Sequence, residues 1–76
     1  MVVNLRDGTP VLMTMSDGHA GPNKEYGQRT SMNVAWFRFS SNEEWQLAGT
    51  RSMHKLMEIA KMSDNRHEFM ELLDIY

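Results

Sequence analysis

Two histidine–glutamate pairs are the residues whose type and spacing come closest to a chemical site. His54 precedes Glu58 by four positions, and His67 precedes Glu71 by the same interval. On a helix this spacing puts an imidazole and a carboxylate on one face, where a divalent metal could bind. The same spacing is that of the ordinary helix-surface pair, which contributes roughly 0.2–0.5 kcal/mol. We therefore expect solvated helix faces here, with no bound metal and no cofactor.

The residues that covalent or phosphate chemistry needs are absent from the sequence. The chain has no cysteine, which excludes a thiol nucleophile, a disulfide and a cysteine-based zinc site. It has no Gly-x-Ser-x-Gly nucleophile elbow. The segment 18–21, Gly-His-Ala-Gly, is too short for a phosphate-binding loop and lacks its lysine. We therefore expect no catalytic residues and a protein that is not an enzyme.

Aromatic and arginine side chains provide a different chemistry, which is binding by contact. Nucleic acids stack their bases on aromatic rings and present phosphates to arginine. The sequence offers four such rings and four such cations: Trp36, Phe37, Phe39, Trp45, Arg6, Arg29, Arg38 and Arg51. A small domain also needs several of these rings to fill its core. We expect most of them in the core and Trp36, beside Arg38, to remain exposed.

The segment 32–40 must position most of these rings. It contains a Trp, two Phe and a β-branched residue without Gly or Pro, a composition that favours a half-buried strand. Side chains alternate between the two faces of a strand. One face would carry Ala35, Phe37 and Phe39, and the other Val34, Trp36 and Arg38. We expect this segment to be the central strand of the sheet.

A hairpin is predicted before this strand. The apolar segments 2–5 and 11–15 flank a short connection that contains Asp7-Gly8. This dipeptide is a strong turn signal because Gly accepts positive φ and Asp tolerates it. Pro10 has no N–H, so it should be the first residue of its strand or lie at an edge.

The connection 16–31 is long and has no periodicity, with three Gly and one Pro. Loops of more than about 12–15 residues in compact domains are usually functional or disordered. The segment carries Lys24, Tyr26 and Arg29 and leads directly into the central strand. We expect these three residues, together with Trp36 and Arg38, to form the partner-binding surface. The competing surface is the acidic C-terminal helix, with Glu68, Glu71 and Asp74.

Two interpretations remain open for the segment after the central strand. Ser41-x-x-Glu44 fits a capping box that would begin a helix. Alternatively, residues 44–48 alternate between polar and apolar, which is typical of a fourth strand. Gly49 interrupts either element.

The segment 50–76 is predicted to be helical. Apolar residues recur at i, i+3, i+4 and i+7 in two stripes. These are Met53, Leu56, Met57 and Ala60, and then Phe69, Leu72, Leu73 and Tyr76. Residues 63–65, Ser-Asp-Asn, separate the stripes with three residues typical of helix N-caps. The segment is therefore one kinked helix or two short helices.

Together these elements predict an α+β fold in a single domain, residues 1–76. Its β-rich part, residues 1–48, would be a small antiparallel sheet of three or four strands. The helical part, residues 50–76, would pack on that sheet. A chain of this length has a small core, so every element has to contribute to it.

Three short motifs lie within residues 2–40: Val3-x-Leu5-x-x-Gly8-x-Pro10, Met13-Thr14 and Trp36-Phe37. With these motifs the N-terminal half resembles a known family, the YodC-like small bacterial proteins. The resemblance implies a small SH3-like β-barrel, a strand at residues 44–48, and helices as a C-terminal addition. The function of that family is uncharacterised, so the resemblance bears on the fold alone.

Charge and hydropathy limit the partners. The net charge of −2 argues against a strongly basic nucleic-acid binder and against an all-acidic DNA mimic. No apolar run approaches the roughly 20 residues of a membrane span, and the first residues lack the basic and apolar regions of a signal peptide. We therefore expect a cytoplasmic protein without a membrane partner.

The function that remains after these exclusions is binding. We expect a small, cysteine-free, non-enzymatic binding module that docks on a larger protein or protein complex as a regulator or inhibitor. The alternative is a nucleic-acid-binding small β-barrel that uses its Trp, Phe and Arg side chains. A metal-assisted enzyme is the third hypothesis. A homodimer remains open.

Overall fold

The computed structural model describes residues 1–17, 33–50 and 52–75. Four strands precede two helices within these residues. The elements are β1 (Val2–Asn4), β2 (Pro10–Asp17), β3 (Asn33–Arg38), β4 (Gln46–Leu47), α1 (Met53–Met62) and α2 (Arg66–Ile75). The strands form one antiparallel sheet in the order β1-β2-β3-β4. The predicted α+β fold is confirmed.

The sheet is open in the part of the chain that the structure describes. β1 and β4 are its two edges and do not pair with each other there. The small SH3-like β-barrel that the resemblance implies stays an expectation. In the described residues, α1 and α2 cover one face of the sheet.

β3 is the central strand, as its composition predicts. It pairs with β2 from Leu12↔Arg38 to Asp17↔Asn33, and with β4 through Trp36↔Leu47 and Phe37↔Gln46. β3 and β2 are therefore the only described strands with neighbours on both sides.

Two interpretations were open for residues 41–48, a helix and a strand. The structure has a strand there, β4, so the helix interpretation is wrong. Ser40 forms a turn instead, because its carbonyl oxygen accepts from the N–H of Glu43 at 3.2 Å and its hydroxyl accepts from the N–H of Asn42 at 3.3 Å. Hydroxyl side chains commonly satisfy the backbone of a turn in this way. The turn returns the chain beside β3 as β4.

The predicted hairpin is formed by β1 and β2. The N–H of Leu5 donates to the carbonyl of Thr9 at 2.8 Å, and the N–H of Gly8 donates to the carbonyl of Leu5 at 2.9 Å. Gly8 has φ +93°, a region that L side chains enter at a cost. Pro10 is the first residue of β2, as its missing N–H requires.

The helices pack on the face of the sheet that we call the inner face. Its buried side chains include Val11, Met13, Ala35, Phe37 and Phe39, so the predicted sides of the central strand are confirmed. The helices contribute four buried residues to the same core: Leu56, Ile59, Ala60 and Phe69. One core thus joins the β-rich and helical parts of the chain.

The three Phe of the sequence meet at the centre of this core. Phe37 lies 5.2 Å from Phe69 and 5.8 Å from Phe39, and Phe39 lies 5.8 Å from Phe69, measured between ring centroids. Their interplanar angles of 77–83° are edge-to-face. Such pairs contribute about 0.5–1.5 kcal/mol beyond the area they bury. Phe69 thereby fixes α2 against β3.

Two separate helices form, rather than one kinked helix. Ser52 caps α1, because its Oγ accepts from the N–H of Lys55 at 3.1 Å. At Ser63 the backbone becomes extended, with φ −90° and ψ 130°, which ends the helix. α2 then begins after Asn65, whose Oδ1 accepts from the N–H of Glu68 at 2.9 Å. The polar residues between the two stripes thus act as caps.

Gly49 allows the chain to leave β4 for α1. The carbonyl of Ala35 accepts from the N–H of Ala48 at 3.0 Å, and the N–H of Ala35 donates to the carbonyl of Thr50 at 2.7 Å. Residues 48–50 therefore lie opposite one residue of β3, Ala35, which makes a bulge with two extra residues. Gly49 takes φ +79° there, which confirms the predicted interruption. Among the described residues, no helix has the length and apolarity that crossing a membrane requires.

Candidate docking face on the sheet

The face of the sheet opposite the helices, which we call the outer face, has two rows of side chains across its strands. Residues directly opposite each other in an antiparallel pair point to the same side. The strand register therefore places Val2, Leu12 and Arg38 in one row, and Thr14, Trp36 and Leu47 in the other. No described helix covers this face, because α1 and α2 pack on the inner face.

Apolar side chains at the edges of the outer face are exposed. Val2 on β1 is 60% exposed and Leu47 on β4 is 52% exposed, while Leu12 on β2 is half-buried. Isolated apolar residues are ordinary on a protein surface. Here they share one face with a tryptophan and an arginine, and these two residue types are enriched at the centres of protein interfaces.

Trp36 lies in the middle of this face, and the prediction that its ring stays exposed is wrong. The residue is only 8% exposed, although it does not belong to the inner core. Thr14 and Leu47 flank it on the neighbouring strands. The indole Nε1 is buried and has no hydrogen-bond acceptor in the described part of the chain.

Arg38 follows Trp36 by two residues on the same face, and its guanidinium is held in place. Its Nη1 donates to the carbonyl oxygen of Glu43 at 3.1 Å and to that of Ser41 at 3.4 Å. Its Cζ lies 4.3 Å from the ring centroid of Trp45, within the range of a cation–π interaction. Its Nε is buried without an acceptor among the described residues. The turn after β3 therefore fixes the orientation of this cation.

Three of the five predicted binding residues, Lys24, Tyr26 and Arg29, lie outside the described residues. The structure places Trp36 and Arg38 together on the outer face, and the role of all five residues stays a prediction. The position of Leu47 opposite Trp36 was not predicted. The alternation in residues 44–48 contained that signal, because a fourth strand paired with β3 brings Leu47 opposite Trp36.

The aromatic platform of the nucleic-acid hypothesis is not formed by the described residues. Phe37 and Phe39 are core residues, 1% and 6% exposed. Trp36 is buried, and Trp45 has the guanidinium of Arg38 over its ring. A base stacks only on an accessible ring, so these residues provide no stack of exposed aromatic side chains.

Both histidine–glutamate pairs lie on helix surfaces. The distance from Nε2 to Oε2 is 3.6 Å for His54 and Glu58, and 3.5 Å for His67 and Glu71, with all four side chains exposed. No cluster of three or more metal-ligating side chains occurs among the described residues. The expected absence of a metal stays a prediction, and the pairs have the geometry of solvated surface contacts.

Two shallow depressions border α1. One, of about 370 Å³, is lined by residues of α1 alone: Lys55, Glu58, Ile59, Lys61 and Met62. The other, of about 300 Å³, lies between the end of β4 and both helices and is lined by Ala48, Gly49, Thr50, Lys55, Ile59, Leu73 and Asp74. Among these described lining residues no nucleophile lies beside a histidine base, which is the arrangement that covalent catalysis requires.

The competing acidic surface on α2 is partly engaged within the protein. Oε1 of Glu68 accepts from the backbone N–H of Asp64 at 2.6 Å, and Glu71 contacts His67. Asp74 is exposed, and so are the apolar Met70 and Ile75. Glu68 therefore has a structural role as a cap, which leaves Glu71 and Asp74 as the carboxylates of this surface.

No family model, curated protein or solved structure matches the chain. The resemblance to the YodC-like proteins stays an expectation. The case for a function therefore depends on the geometry of the outer face.

Proposed function

We propose that this protein is a small non-enzymatic binding module of the cytoplasm, which docks on a larger protein or protein complex through the outer face of its sheet. One observation carries the proposal. The helices cover only the inner face, while the opposite face combines exposed apolar residues at its edges with Trp36 and Arg38 at its centre. Contact with a partner would then regulate or inhibit that partner.

The energetics of the outer face favour a protein partner. Complete burial of a Val or Leu side chain contributes about 1.5–3 kcal/mol, and Val2 and Leu47 each expose more than half of their surface. Trp and Arg are the residue types that most often dominate the energy of an interface. A partner that covers this face would therefore bury the side chains of Val2 and Leu47 at its two edges. Trp36 and Arg38 lie between these edges.

The proposed binding surface also includes three residues of the segment that links β2 to β3 in the sequence. Lys24, Tyr26 and Arg29 lie between two strands that contribute Thr14, Trp36 and Arg38 to the outer face. We include them as partner-binding residues.

Two variants with matched chemistry test the proposal. Leu47→Glu adds a charge to the outer face, and Met70→Glu adds the same charge to the outside of α2, where Met70 is 37% exposed. Each tagged variant and the parent are used to purify partners from the source cells, and the bound proteins are quantified by mass spectrometry. We expect Leu47→Glu to lose a partner that Met70→Glu and the parent retain.

The melting temperatures of the two variants provide the control. Both residues are exposed, so both variants should melt within a few degrees of the parent, because surface substitutions usually change stability by about 0.5 kcal/mol or less. Retention of every partner by a folded Leu47→Glu variant would exclude the outer face. Loss only with Met70→Glu would move the docking surface to α2.

A further inference from the structure

We propose that the outer face recognises an acidic peptide segment, and that the guanidinium of Arg38 binds a carboxylate of that segment through its Nε edge. The inference deepens the proposed function and rests on it, because it states the chemistry of the partner at the same face. It is carried by the two buried donors of this face that have no acceptor, Trp36 Nε1 and Arg38 Nε.

The donor Nε on one edge of the Arg38 guanidinium is buried and makes no hydrogen bond. Nη1 is engaged by the carbonyl oxygens of Ser41 and Glu43, and the ring of Trp45 covers one flat side. Nε and Nη2 form the edge on the other side of the group. Two parallel N–H donors on one edge match the two oxygens of a carboxylate, and this bidentate arrangement is among the strongest hydrogen-bonded contacts in proteins.

The lack of a carboxylate partner for Arg38 among the described residues also favours a carboxylate ligand. Of the three arginines that the structure describes, Arg6 pairs with Asp64 at 3.4 Å and Arg66 pairs with Glu43 at 3.4 Å. Arg38 is half-buried and has no carboxylate partner among the described residues. A cation that has lost part of its hydration is stabilised when an anion replaces the missing water. A carboxylate from the partner would supply that anion.

Trp36 provides a second donor on the same side of β3. The two side chains are two residues apart, which is about 7 Å along a strand. An extended peptide presents its alternate groups at the same interval, so one segment could offer an acceptor to each donor. Both nitrogen atoms are covered in the free protein, so binding requires rotation of the side chains that cover them, and such changes are common at protein interfaces.

The surroundings of Arg38 favour an acidic peptide over a nucleic acid. Val2, Leu12 and Leu47 border the two donors with apolar surface, which suits aliphatic residues next to the carboxylate. A phosphate backbone instead requires several cations in succession. The described part of the outer face has one, Arg38.

The test uses a defined probe, the peptide acetyl-Gly-Val-Glu-Val-Glu-Val-Gly-amide, with a matched peptide in which both Glu are Gln. Each is titrated into ¹⁵N-labelled protein while the Nε–H signal of Arg38 and the indole N–H signal of Trp36 are followed. We expect both signals to shift with the acidic peptide. The Gln peptide should bind about tenfold more weakly, because the contact with a charged acceptor is lost.

Two protein variants separate the guanidinium edge from its charge. Arg38→Lys keeps the charge but lacks the Nε–H, so we expect about tenfold weaker binding of the acidic peptide. Arg6→Lys makes the same change at an arginine that already has a carboxylate partner and should bind like the parent. If Arg38→Lys does not fold, the comparison of the two peptides with the parent protein decides the question.

Four outcomes would overturn the inference. The two signals could remain unshifted at about 10 mM acidic peptide, a concentration that detects even very weak binding. The two peptides could bind equally well. A deoxythymidine decamer could bind more tightly than the acidic peptide, which would identify a nucleic-acid surface. Arg38→Lys could also retain the cellular partner that Leu47→Glu loses. In that case the docking face would stand and the acidic ligand would not.

Discussion

The backbone N–H of Arg6 donates a 3.0 Å hydrogen bond to the carbonyl oxygen of Ser63, which joins the turn of the first hairpin to the corner between the helices. The N–H of Asp7 makes the equivalent bond to the carbonyl of Asp64 at 3.1 Å, and Nε of Arg6 donates to the carbonyl of Lys61 at 3.2 Å. The last carbonyls of a helix have no partner within it. Here the hairpin supplies a partner for the carbonyl of Lys61, in the last turn of α1, and for the carbonyls of Ser63 and Asp64 in the corner that follows.

This corner contact explains how the inner face stays covered in so small a protein. Ser63 is fully buried, and its hydroxyl donates to the carbonyl of Ile59 at 2.7 Å. The helices are thus held at two places, by the Phe cluster at the centre of the sheet and by hydrogen bonds at the hairpin turn. The outer face has no comparable cover from the described elements, and this asymmetry underlies the proposed function.

Phe37→Ala should unfold the protein or nearly so. The ring is 1% exposed and packs against both Phe39 and Phe69, so its removal leaves a cavity where strand and helix meet. Such substitutions cost about 3–5 kcal/mol, which is comparable to the whole stability of many small domains. Thermal and urea unfolding measure the effect. Leu47→Ala, on the exposed side of the sheet, is the control, and a parent-like melting temperature for Phe37→Ala would show that the inner face is assigned wrongly.

Gly8→Ala should destabilise the hairpin through its backbone and not through crowding. No atom lies within 4 Å of a Cβ built at this position, but the residue has φ +93°. A side chain in that region costs about 1–2 kcal/mol. Gly8→Asn should cost less, because Asn tolerates positive φ better than Ala does. Urea denaturation of the three proteins would give the order Gly, Asn, Ala, and equal stability of all three would contradict the turn geometry.

Asp7 should titrate below its ordinary range in the folded protein. The backbone N–H of Thr9 donates to its Oδ1 at 2.9 Å, and this bond, followed by that of the Thr9 side chain, lowers the pKa of Asp7 from 3.8. A lowered pKa means that the folded state favours the carboxylate. The stabilising effect is therefore complete above the unfolded pKa and is lost as the pH falls through the folded pKa.

The carboxyl carbon signal of Asp7 measures this shift directly by NMR. Its titration midpoint should lie below 3.8 in the folded protein. Asp7→Asn should make stability less dependent on pH in the acidic range, because the titrating group is gone. A midpoint at or above the ordinary value would mean that the bond to Thr9 does not persist in solution.

The sequence predicted the elements whose signals are local. Alternation in β3 identified its inner side, because Ala35 and Phe37 are separated by one strand period. The polar residues 63–65 marked the end of α1 and the start of α2, because they satisfy helix ends. Ile59 was missed, although it is 3% exposed. The buried stripe of α1 is wider than the predicted one, since the helix contacts three strands at once.

The candidate site was less predictable because it depends on contacts between elements. Alternation places Trp36 on the side opposite Phe37, but it does not reveal whether that side is covered. The stacking of Arg38 on Trp45 depends on the turn that begins at Ser40, whereas the sequence offered only a helix or a strand for the residues that follow. Donors without acceptors become visible only when the surrounding residues are placed, so the sequence could not indicate them.

The last prediction decides between the two surfaces that could contact a partner. Tyr26→Ala and Arg29→Ala should abolish binding of the cellular partner, because Tyr and Arg are typical hot-spot residues that cost roughly 2 kcal/mol or more when truncated. Charge reversal on α2 should leave binding unchanged if the outer face is the interface. Co-purification of the partner with each variant, and the melting temperature of each, are the measurements.

The choice of residues for the charge reversal follows from the capping of α2. Glu68 accepts a hydrogen bond from the N–H of Asp64, so Glu68→Lys would weaken the helix start and confuse stability with binding. Glu71→Lys and Asp74→Lys avoid this, because both side chains are exposed. Surface substitutions of this kind usually change stability by about 0.5 kcal/mol or less. Loss of the partner with these two variants, together with normal binding by Tyr26→Ala and Arg29→Ala, would identify α2 as the interface.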